Sequence, residues 1–204
     1  MEKRPRIAYF DVSKITDPAM LAEFERARRE GAPRLQSHAV RANVPDVFWS
    51  FANAWRDTFV NGVCEHNIKE LCRLYVSRSV QCDYCGNQRS TRAFVSGSKG
   101  LVEEDLKDLL DLEKAARYDD RQKAALRLAE AITWGTDLDD AAWDALHAYF
   151  SNEQLTELGF FIGLTMGQQR FNRLLDLEHN QVMAGTDAGL APVIKEREQS
   201  QMQA

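Results

Sequence analysis

The sequence HNIKELCRLYVSRSVQCDYC, at residues 66–85, joins an amphipathic helix pattern to a closely spaced pair of cysteines. Its apolar residues recur at helical spacing and predict a helix over about 66–79; they are Ile68, Leu71, Cys72, Tyr75 and Val76. Cys82 and Cys85 come next, and the helical pattern continues to about residue 95. The segment therefore predicts two consecutive helices, with the cysteine pair at the start of the second.

Helix signals also dominate the rest of the chain. Asp17 followed by a proline favours a helix start, and Ser151 with Gln154 matches a capping box. Strand signals are confined to residues 7–12, which form either a short strand or a packed arm. The sequence therefore predicts an all-α fold of about seven or eight helices with a helical N-terminal extension. The further helices are expected over 18–30, 45–60 and 101–112 and from Asp119, Leu138 and Ser151 onward.

Composition excludes several classes of protein. The 204 residues are 44% hydrophobic and 28% charged, which is typical of a globular domain. A net charge of −5 argues against a nucleic-acid partner, and no apolar run approaches the length of about 20 residues that spans a membrane. The apolar stretch near the N-terminus is too short for a signal peptide, so we expect a cytoplasmic protein. Four cysteines in a reducing compartment are thiols, and a disulfide there is transient and functional.

The pair Cys82-x-x-Cys85 has the local design of a thiol redox site. Two intervening residues let the sulfurs reach each other, and a helix N-terminus lowers the pKa of a thiol and favours the thiolate. A neighbouring thiol can then close a disulfide. Three alternatives remain open: a zinc site, for which Cys64 and Cys72 lie too far apart to form a knuckle; a thioredoxin-type site, whose βαβ pattern is absent; and two packed cysteines without a role.

The run from Glu70 to Cys85 resembles the carboxymuconolactone decarboxylase/AhpD-like family. The redox members of that family have a glutamate, eleven residues, a CxxC pair, three residues and a histidine. Glu70, Cys82 and Cys85 match that spacing. Residues 100–104, 150–158 and 170–173 also resemble the family, so the likeness extends over roughly residues 40–180.

This resemblance implies three parts: an N-terminal extension over 1–40, an AhpD-like domain over 41–182 and a polar C-terminal tail over 183–204. It also implies reduction of a small-molecule hydroperoxide or disulfide without a cofactor or metal. Cys85 corresponds to the thiol that attacks the peroxide, Cys82 to the thiol that resolves the sulfenic acid, and Glu70 to a proton relay. Electrons would come from an external dithiol donor. The family assembles as homo-trimers or homo-hexamers, and no membrane partner is expected.

Arg89 stands where the family motif has histidine. Arginine stays protonated and cannot act as a general base, although its charge can lower a thiol pKa or bind a carboxylate. We expect a Glu70–Arg89 ion pair, because a second helix that turns back brings the two side chains within reach. His66, four residues before Glu70, is a candidate replacement for the relay base. Tyr84, between the cysteines, lines a substrate pocket or only packs.

Glycines 159, 163 and 167 give one helix a smooth face that suits close packing of another helix. Together with the resemblance they predict a homo-oligomer, with core or subunit contacts at the tryptophans Trp49, Trp55, Trp134 and Trp143. Three functions follow from the sequence. The first is a CxxC-dependent peroxidase or disulfide reductase. The second is a lyase in which Arg89 holds a carboxylate or lactone, and the third is a non-catalytic oligomeric binding protein.

Overall fold

The computed structural model describes residues 5–94, 100–112, 114 and 116–177. Within these ranges it contains helices and no strand, which confirms the all-α fold. Two of the nine α-helices found there are single turns, α5 and α6. The helices are α1 (Pro18–Glu30), α2 (Leu35–Arg41), α3 (Pro45–Trp55), α4 (His66–Ser79), α5 (Asp83–Gly86), α6 (Thr91–Phe94), α7 (Asp120–Trp134), α8 (Asp140–Tyr149) and α9 (Asn152–Leu174).

The predicted helix starts are confirmed by their capping contacts. The Asp17 carboxylate accepts a hydrogen bond from the backbone N–H of Ala19, at 2.9 Å. Asp119 and Ser151 each form a capping box with the glutamine three residues later. At the other end of α1, Gly31 has a φ of 75°, a left-handed conformation that glycine adopts without a steric penalty. These local contacts fix the ends of the helices that carry the core.

Helix α4 is the central element of the fold. It packs against α7 and α9 and also contacts α5 and α6. Leu71, Leu74 and Val76 are completely or almost completely buried on it, and each buried side chain of this size contributes about 1.5–3 kcal/mol. Charged side chains of α4 are buried as well, which places polar chemistry inside the protein; they are Lys69, Glu70 and Arg73.

Two predicted elements differ from the structure, and one open alternative is decided by it. Only Glu103–Leu106, in the 3₁₀ conformation, is helical in the described part of 101–112, where aspartates compete with the helix for backbone hydrogen bonds. The pattern expected up to residue 95 is broken between α5 and α6, and residues 95–99 lie outside the described residues. Of the two alternatives for residues 7–12, the structure has the packed arm, in which the Phe10 N–H donates to the Ala39 carbonyl at 2.9 Å.

The N-terminal segment packs against the cysteine region. Helix α2 was not predicted, and it crosses the predicted boundary at residue 40. Its Ser37 N–H donates to the Tyr84 hydroxyl at 3.0 Å, and the Arg34 N–H donates to the Gln88 side chain at 3.1 Å. An apolar cluster joins α1 and α2 to α3, formed by Met20, Phe24, Ala39, Ala42, Phe48 and Ala52. The predicted tail over 183–204 lies outside the described residues.

The glycine face of α9 is open in the described part of the chain. A Cβ atom built on Gly159, Gly163 or Gly167 would meet nothing within 4 Å. Among the tryptophans, Trp55 is buried, whereas Trp134 and Trp143 are exposed. None of the described helices is both long enough and apolar enough to cross a bilayer.

Candidate active site around the cysteine pair

The two cysteines of the CxxC motif lie at disulfide distance. Their Cα atoms are 5.3 Å apart and their sulfurs are bonded. The Cys82 N–H donates to the Ser77 carbonyl at 2.9 Å, which fixes the pair to the end of α4. The Cys82 carbonyl in turn accepts from the N–H groups of Cys85 and Gly86, at 3.0 and 2.8 Å. The local backbone therefore holds both sulfurs within bonding distance.

Helix α5 contributes less to thiol activation than the sequence suggested. It has one turn, and Cys82 is its N-cap without a side-chain capping bond. A single turn aligns few peptide dipoles, so its positive end is weak. Both cysteines are only 2% exposed, and burial in apolar surroundings by itself disfavours a thiolate. Neither the short helix nor the burial of the pair favours a thiolate.

Glu70 is paired with Arg73, not with Arg89. The two side chains lie one turn apart on α4, and the guanidinium donates to both carboxylate oxygens, at 2.7 and 2.8 Å. Glu70 is completely buried and Arg73 is 2% exposed. The Glu70 carboxylate also accepts from the Ser90 N–H at 2.9 Å. Glu70 is therefore a buried counter-charge whose oxygens are occupied.

Arg73 links this ion pair to the cysteine segment. Its guanidinium donates to the carbonyls of Cys85 and Gln88, at 2.9 and 2.8 Å. Together with the Glu70–Ser90 contact, these bonds satisfy backbone groups of α5 and of its connection to α6. This explains why the helix does not continue there, since the buried side chains of α4 replace helical hydrogen bonds.

The expected Glu70–Arg89 ion pair is wrong, because Arg89 has other partners. Its guanidinium pairs with Glu103, with N–O distances of 2.6 and 3.0 Å. It also donates to the carbonyls of Gly86 and Gln88, at 2.7 and 2.8 Å. Four of the five guanidinium N–H groups are thereby engaged, and the charge is balanced by an acidic residue outside the motif. Arg89 therefore links the end of α5 to the 3₁₀ turn Glu103–Leu106.

His66 contacts Ser90, the residue whose N–H binds Glu70. Its Nδ1 is 2.8 Å from the Phe59 carbonyl and its Nε2 is 2.7 Å from the Ser90 hydroxyl. Because a carbonyl oxygen only accepts, Nδ1 carries the proton and Nε2 accepts from the hydroxyl. Burial lowers the pKa of His66 to about 4, so the ring is neutral at pH 7. The hydrogen bonds that connect His66 with Glu70 run through the backbone N–H of Ser90. A peptide N–H can hold the backbone in place here, but it does not carry a proton between the two side chains.

Tyr84 fastens the cysteine turn to α2. It is 3% exposed, and its hydroxyl accepts from the Ser37 N–H and donates to the Arg34 carbonyl, at 3.0 and 3.2 Å. Burial raises the pKa of Tyr84 to about 12, so its hydroxyl keeps its proton. Packing, the safer of its two sequence-based interpretations, describes these contacts.

A small cavity reaches Cys85. Its volume is about 30 Å³, enough for a molecule of a few non-hydrogen atoms. It lies between α2, α3, α4, α5 and α9, and Asn172 on α9 places its amide nitrogen 3.9 Å from the Cys85 sulfur. Cys85 is therefore the cysteine that a small molecule in this cavity meets. The polar lining consists chiefly of Arg41, Arg73, Thr165, Gln169 and Asn172.

The sequence analysis missed Arg41 and Arg73. Arg73 follows Glu70 by three residues, so helical spacing alone could have identified the pair. Arg41 carries no such signal, because it lies 44 residues before Cys85 in a helix that was not predicted. Cys64 and Cys72 are free and buried, and burial raises the pKa of Cys64 to about 12. In the described ranges no group of three or more histidines, cysteines or acids is arranged to hold a metal ion.

The comparison with known proteins rests on three-dimensional structure. No family model matches the sequence, and no curated protein matches it. Solved structures do match: a putative antioxidant defence protein AhpD from Agrobacterium tumefaciens is 21% identical, with a TM-score of 0.58 over 68% of this chain and 94% of that one. The chain has an AhpD-like fold.

Two further structures share this fold over more of the chain. An uncharacterised peroxidase-related protein from Silicibacter sp. TM1040 is 16% identical, with a TM-score of 0.67 over 91% of this chain and 99% of that one. The debrominase Bmp8, as a cysteine-to-alanine variant in complex with 2,3,4-tribromopyrrole, is also 16% identical, with a TM-score of 0.70 over 87% and 93% of the two chains. At these identities the likeness concerns the fold.

Proposed function

We propose that the protein is a CxxC-dependent thiol oxidoreductase that reduces small hydroperoxides. The observation that carries this proposal is the pairing of Cys82 with Cys85 beside a cavity that only Cys85 of the two lines. The resemblance of the motif assigns the same roles, with Cys85 as the attacking thiol and Cys82 as the resolving thiol. The substrate class and the external dithiol donor belong to this proposal as well.

In the proposed cycle the two thiols supply the two electrons that reduce the peroxide, and an external dithiol donor replaces them. The Cys85 thiolate attacks the terminal oxygen of the hydroperoxide, an S–O bond forms, and the O–O bond breaks with release of an alkoxide that takes up a proton. Cys82 then attacks the sulfur of the Cys85 sulfenic acid, which releases water and forms the disulfide. A dithiol from outside reduces the disulfide and becomes oxidised.

The two other functions have less support. The lyase hypothesis needs the Arg89 guanidinium to bind a carboxylate, and that guanidinium already pairs with Glu103. Debromination, the activity of Bmp8, would need space for a ring with three bromine atoms. A cavity of about 30 Å³ is better matched to a peroxide. A binding protein without catalysis has no need for two cysteines at bonding distance.

The direct test is peroxide consumption by the reduced protein with dithiothreitol as donor. We expect Cys85→Ser to abolish turnover, and Cys82→Ser to stop after one event at a sulfenic acid that dimedone traps. Cys64→Ser, which alters a buried cysteine outside the pair, should retain turnover. Peptide mass mapping should find the Cys82–Cys85 link after oxidation. Oxidation of Cys85 without that link, or equal losses in Cys64→Ser, would exclude the scheme.

We also propose that the protein is a homo-oligomer, trimer-based like the family it resembles. The open glycine face of α9 supports this assembly, because exposed apolar side chains lie beside it. Phe160, Phe171 and Leu174 are 57%, 42% and 74% exposed, and their spacing places them along one stripe of α9. Large apolar side chains on one face, next to a smooth surface, are typical of subunit contacts.

A further inference from the structure

Four buried polar atoms on the walls of the Cys85 cavity lack a hydrogen-bond partner among the described residues. They are Arg41 Nη1, Trp55 Nε1, Thr165 Oγ1 and Gln169 Oε1. Buried polar groups are nearly always hydrogen-bonded in folded proteins. Four unpaired polar atoms around one cavity therefore indicate a binding site for a polar ligand. Two of the four can only donate, which favours a ligand rich in acceptor oxygens.

Arg41 gives this cavity a positive charge that nothing nearby balances. Within the described part of the chain, no carboxylate oxygen lies within 4.0 Å of its guanidinium, and the cavity wall includes no acidic residue. The guanidinium is held in place by the Gln168 side-chain oxygen, at 2.8 Å from Nη2, and by the face of the Phe51 ring, at 3.6 Å. Burial lowers the pKa of Arg41 to about 10, so it stays charged at neutral pH. By contrast, the Glu70 carboxylate neutralises Arg73, the other arginine in the wall.

The site is poorly equipped to protonate a leaving group. Reduction of hydrogen peroxide expels hydroxide, the conjugate base of water with its pKa of about 15.7, and therefore needs a proton. The two relay candidates from the sequence are engaged elsewhere, Glu70 with Arg73 and the neutral His66 with Ser90. Arg89, at the position of the family's histidine, pairs with Glu103. A carboxylate, whose acid has a pKa of about 4, leaves without a proton.

We propose that the preferred oxidant is a short peroxycarboxylic acid and that Arg41 receives its carboxylate leaving group. The Cys85 thiolate attacks the terminal peroxide oxygen and becomes a sulfenic acid, while the O–O bond breaks and its electron pair departs with the carboxylate. Arg41 Nη1 and Trp55 Nε1 donate to the carboxylate oxygens as the charge develops. This proposal rests on the proposed function, since Cys85 and Cys82 play the same roles, and it names the substrate class of that site.

The kinetic test compares catalase-treated peracetic acid with hydrogen peroxide as oxidants of the reduced protein. Each rate constant is divided by the rate constant of the same oxidant with dithiothreitol. This division corrects for the difference in reactivity of the two oxidants toward any thiol. We expect a corrected preference for peracetic acid of about tenfold or more, as for a hydrogen bond between charged groups. Arg41→Met should remove that preference, Arg41→Lys should recover part of it, and Arg28→Met, on the exposed face of α1, should leave it unchanged. No corrected preference, or equal slowing of both oxidants by Arg41→Met, would overturn the proposal.

A binding test does not depend on turnover. Acetate, the product, is titrated into the disulfide form at constant ionic strength with chloride as the balancing anion, and tryptophan fluorescence is followed. We expect saturable binding that weakens about tenfold in Arg41→Met and a signal that disappears in Trp55→Phe. If Arg41→Met does not fold, Thr165→Val provides the comparison and should also weaken acetate. A response that chloride reproduces, or no saturation, would overturn the carboxylate site.

The two tests separate the proposals. If neither hydrogen peroxide nor peracetic acid forms the Cys82–Cys85 disulfide but acetate binds through Arg41 to the protein whose disulfide was made with diamide, the proposed peroxidase function is wrong and the carboxylate site stands. Hydrogen peroxide and peracetic acid could also both form the disulfide, with the same ratio of rate constants as they show with free dithiothreitol. In that case the proposed function stands and the peroxycarboxylate preference is wrong.

Discussion

Replacing Glu70 by glutamine tests whether this carboxylate is a proton relay or a buried counter-charge. Glu70→Gln keeps the shape of the side chain but leaves the Arg73 guanidinium, 2% exposed, without a negative partner. Removal of one partner from a buried ion pair costs about 3–5 kcal/mol, because the remaining charge stays out of water. The glutamine amide oxygen still accepts one hydrogen bond, so we expect a loss near the lower end, about 3 kcal/mol.

The assay is urea unfolding at one fixed protein concentration, since oligomerisation would make stability depend on concentration. A loss of about 3 kcal/mol corresponds to a fall in the melting temperature of roughly 6–12 °C for a chain of this size. The matched control is Glu25→Gln, because Glu25 and Arg28 form an ion pair with the same three-residue spacing on α1 but with exposed side chains. Glu25→Gln should show no measurable loss, because water solvates the remaining arginine.

Activity at a temperature well below unfolding decides between the two roles. As a counter-charge, Glu70 is needed for folding, so the folded fraction of Glu70→Gln should still oxidise its cysteine pair. As a relay, Glu70 would be needed for turnover and not for stability. A variant with unchanged unfolding free energy and abolished peroxide consumption would therefore refute the assignment drawn from the Arg73 contacts.

The remaining predictions concern three other features. Arg89→Met should lower the unfolding free energy by roughly 2–3 kcal/mol, as expected for lost charge-assisted hydrogen bonds. The alkylation rate of reduced Cys85 should change little in this variant, and a strongly slowed alkylation would show that the Arg89 charge acts on the thiol. Because burial lowers the pKa of His66 to about 4 from 6.5, the unfolded chain binds a proton first as the pH falls. The unfolding free energy should therefore fall between pH 6.5 and 4, and this fall should be roughly 2–3 kcal/mol smaller in His66→Gln than in the wild type. Urea titrations that give the same fall for both proteins would contradict this. Light scattering should give a multiple of the single-chain mass, which Gly163→Phe lowers while helical circular dichroism persists; a single-chain mass for the wild type would exclude the oligomer.

Local interactions account for the parts of the fold that the sequence predicted. The bounds of α4 follow from the spacing of its apolar residues, and the start of α1 follows from the Asp17 side chain, which caps a backbone N–H two residues along the chain. The disulfide distance of Cys82 and Cys85 follows in the same way from a single turn. Such features depend on residues that are close in sequence, so they can be predicted without knowledge of the tertiary packing.

Tertiary packing decided what the site residues do. Arg89 pairs with Glu103 and not with Glu70, and no helical periodicity encodes a contact between residues 14 positions apart that lie in different elements. Arg41 reaches the Cys85 cavity only because α2, which lacks the length and the cap of a recognisable helix, docks between the cysteine turn and α9. The sequence by itself determined the helices and the thiol pair. The packing determined which charges surround that pair, because a buried charge takes its partner from whatever element the fold places beside it.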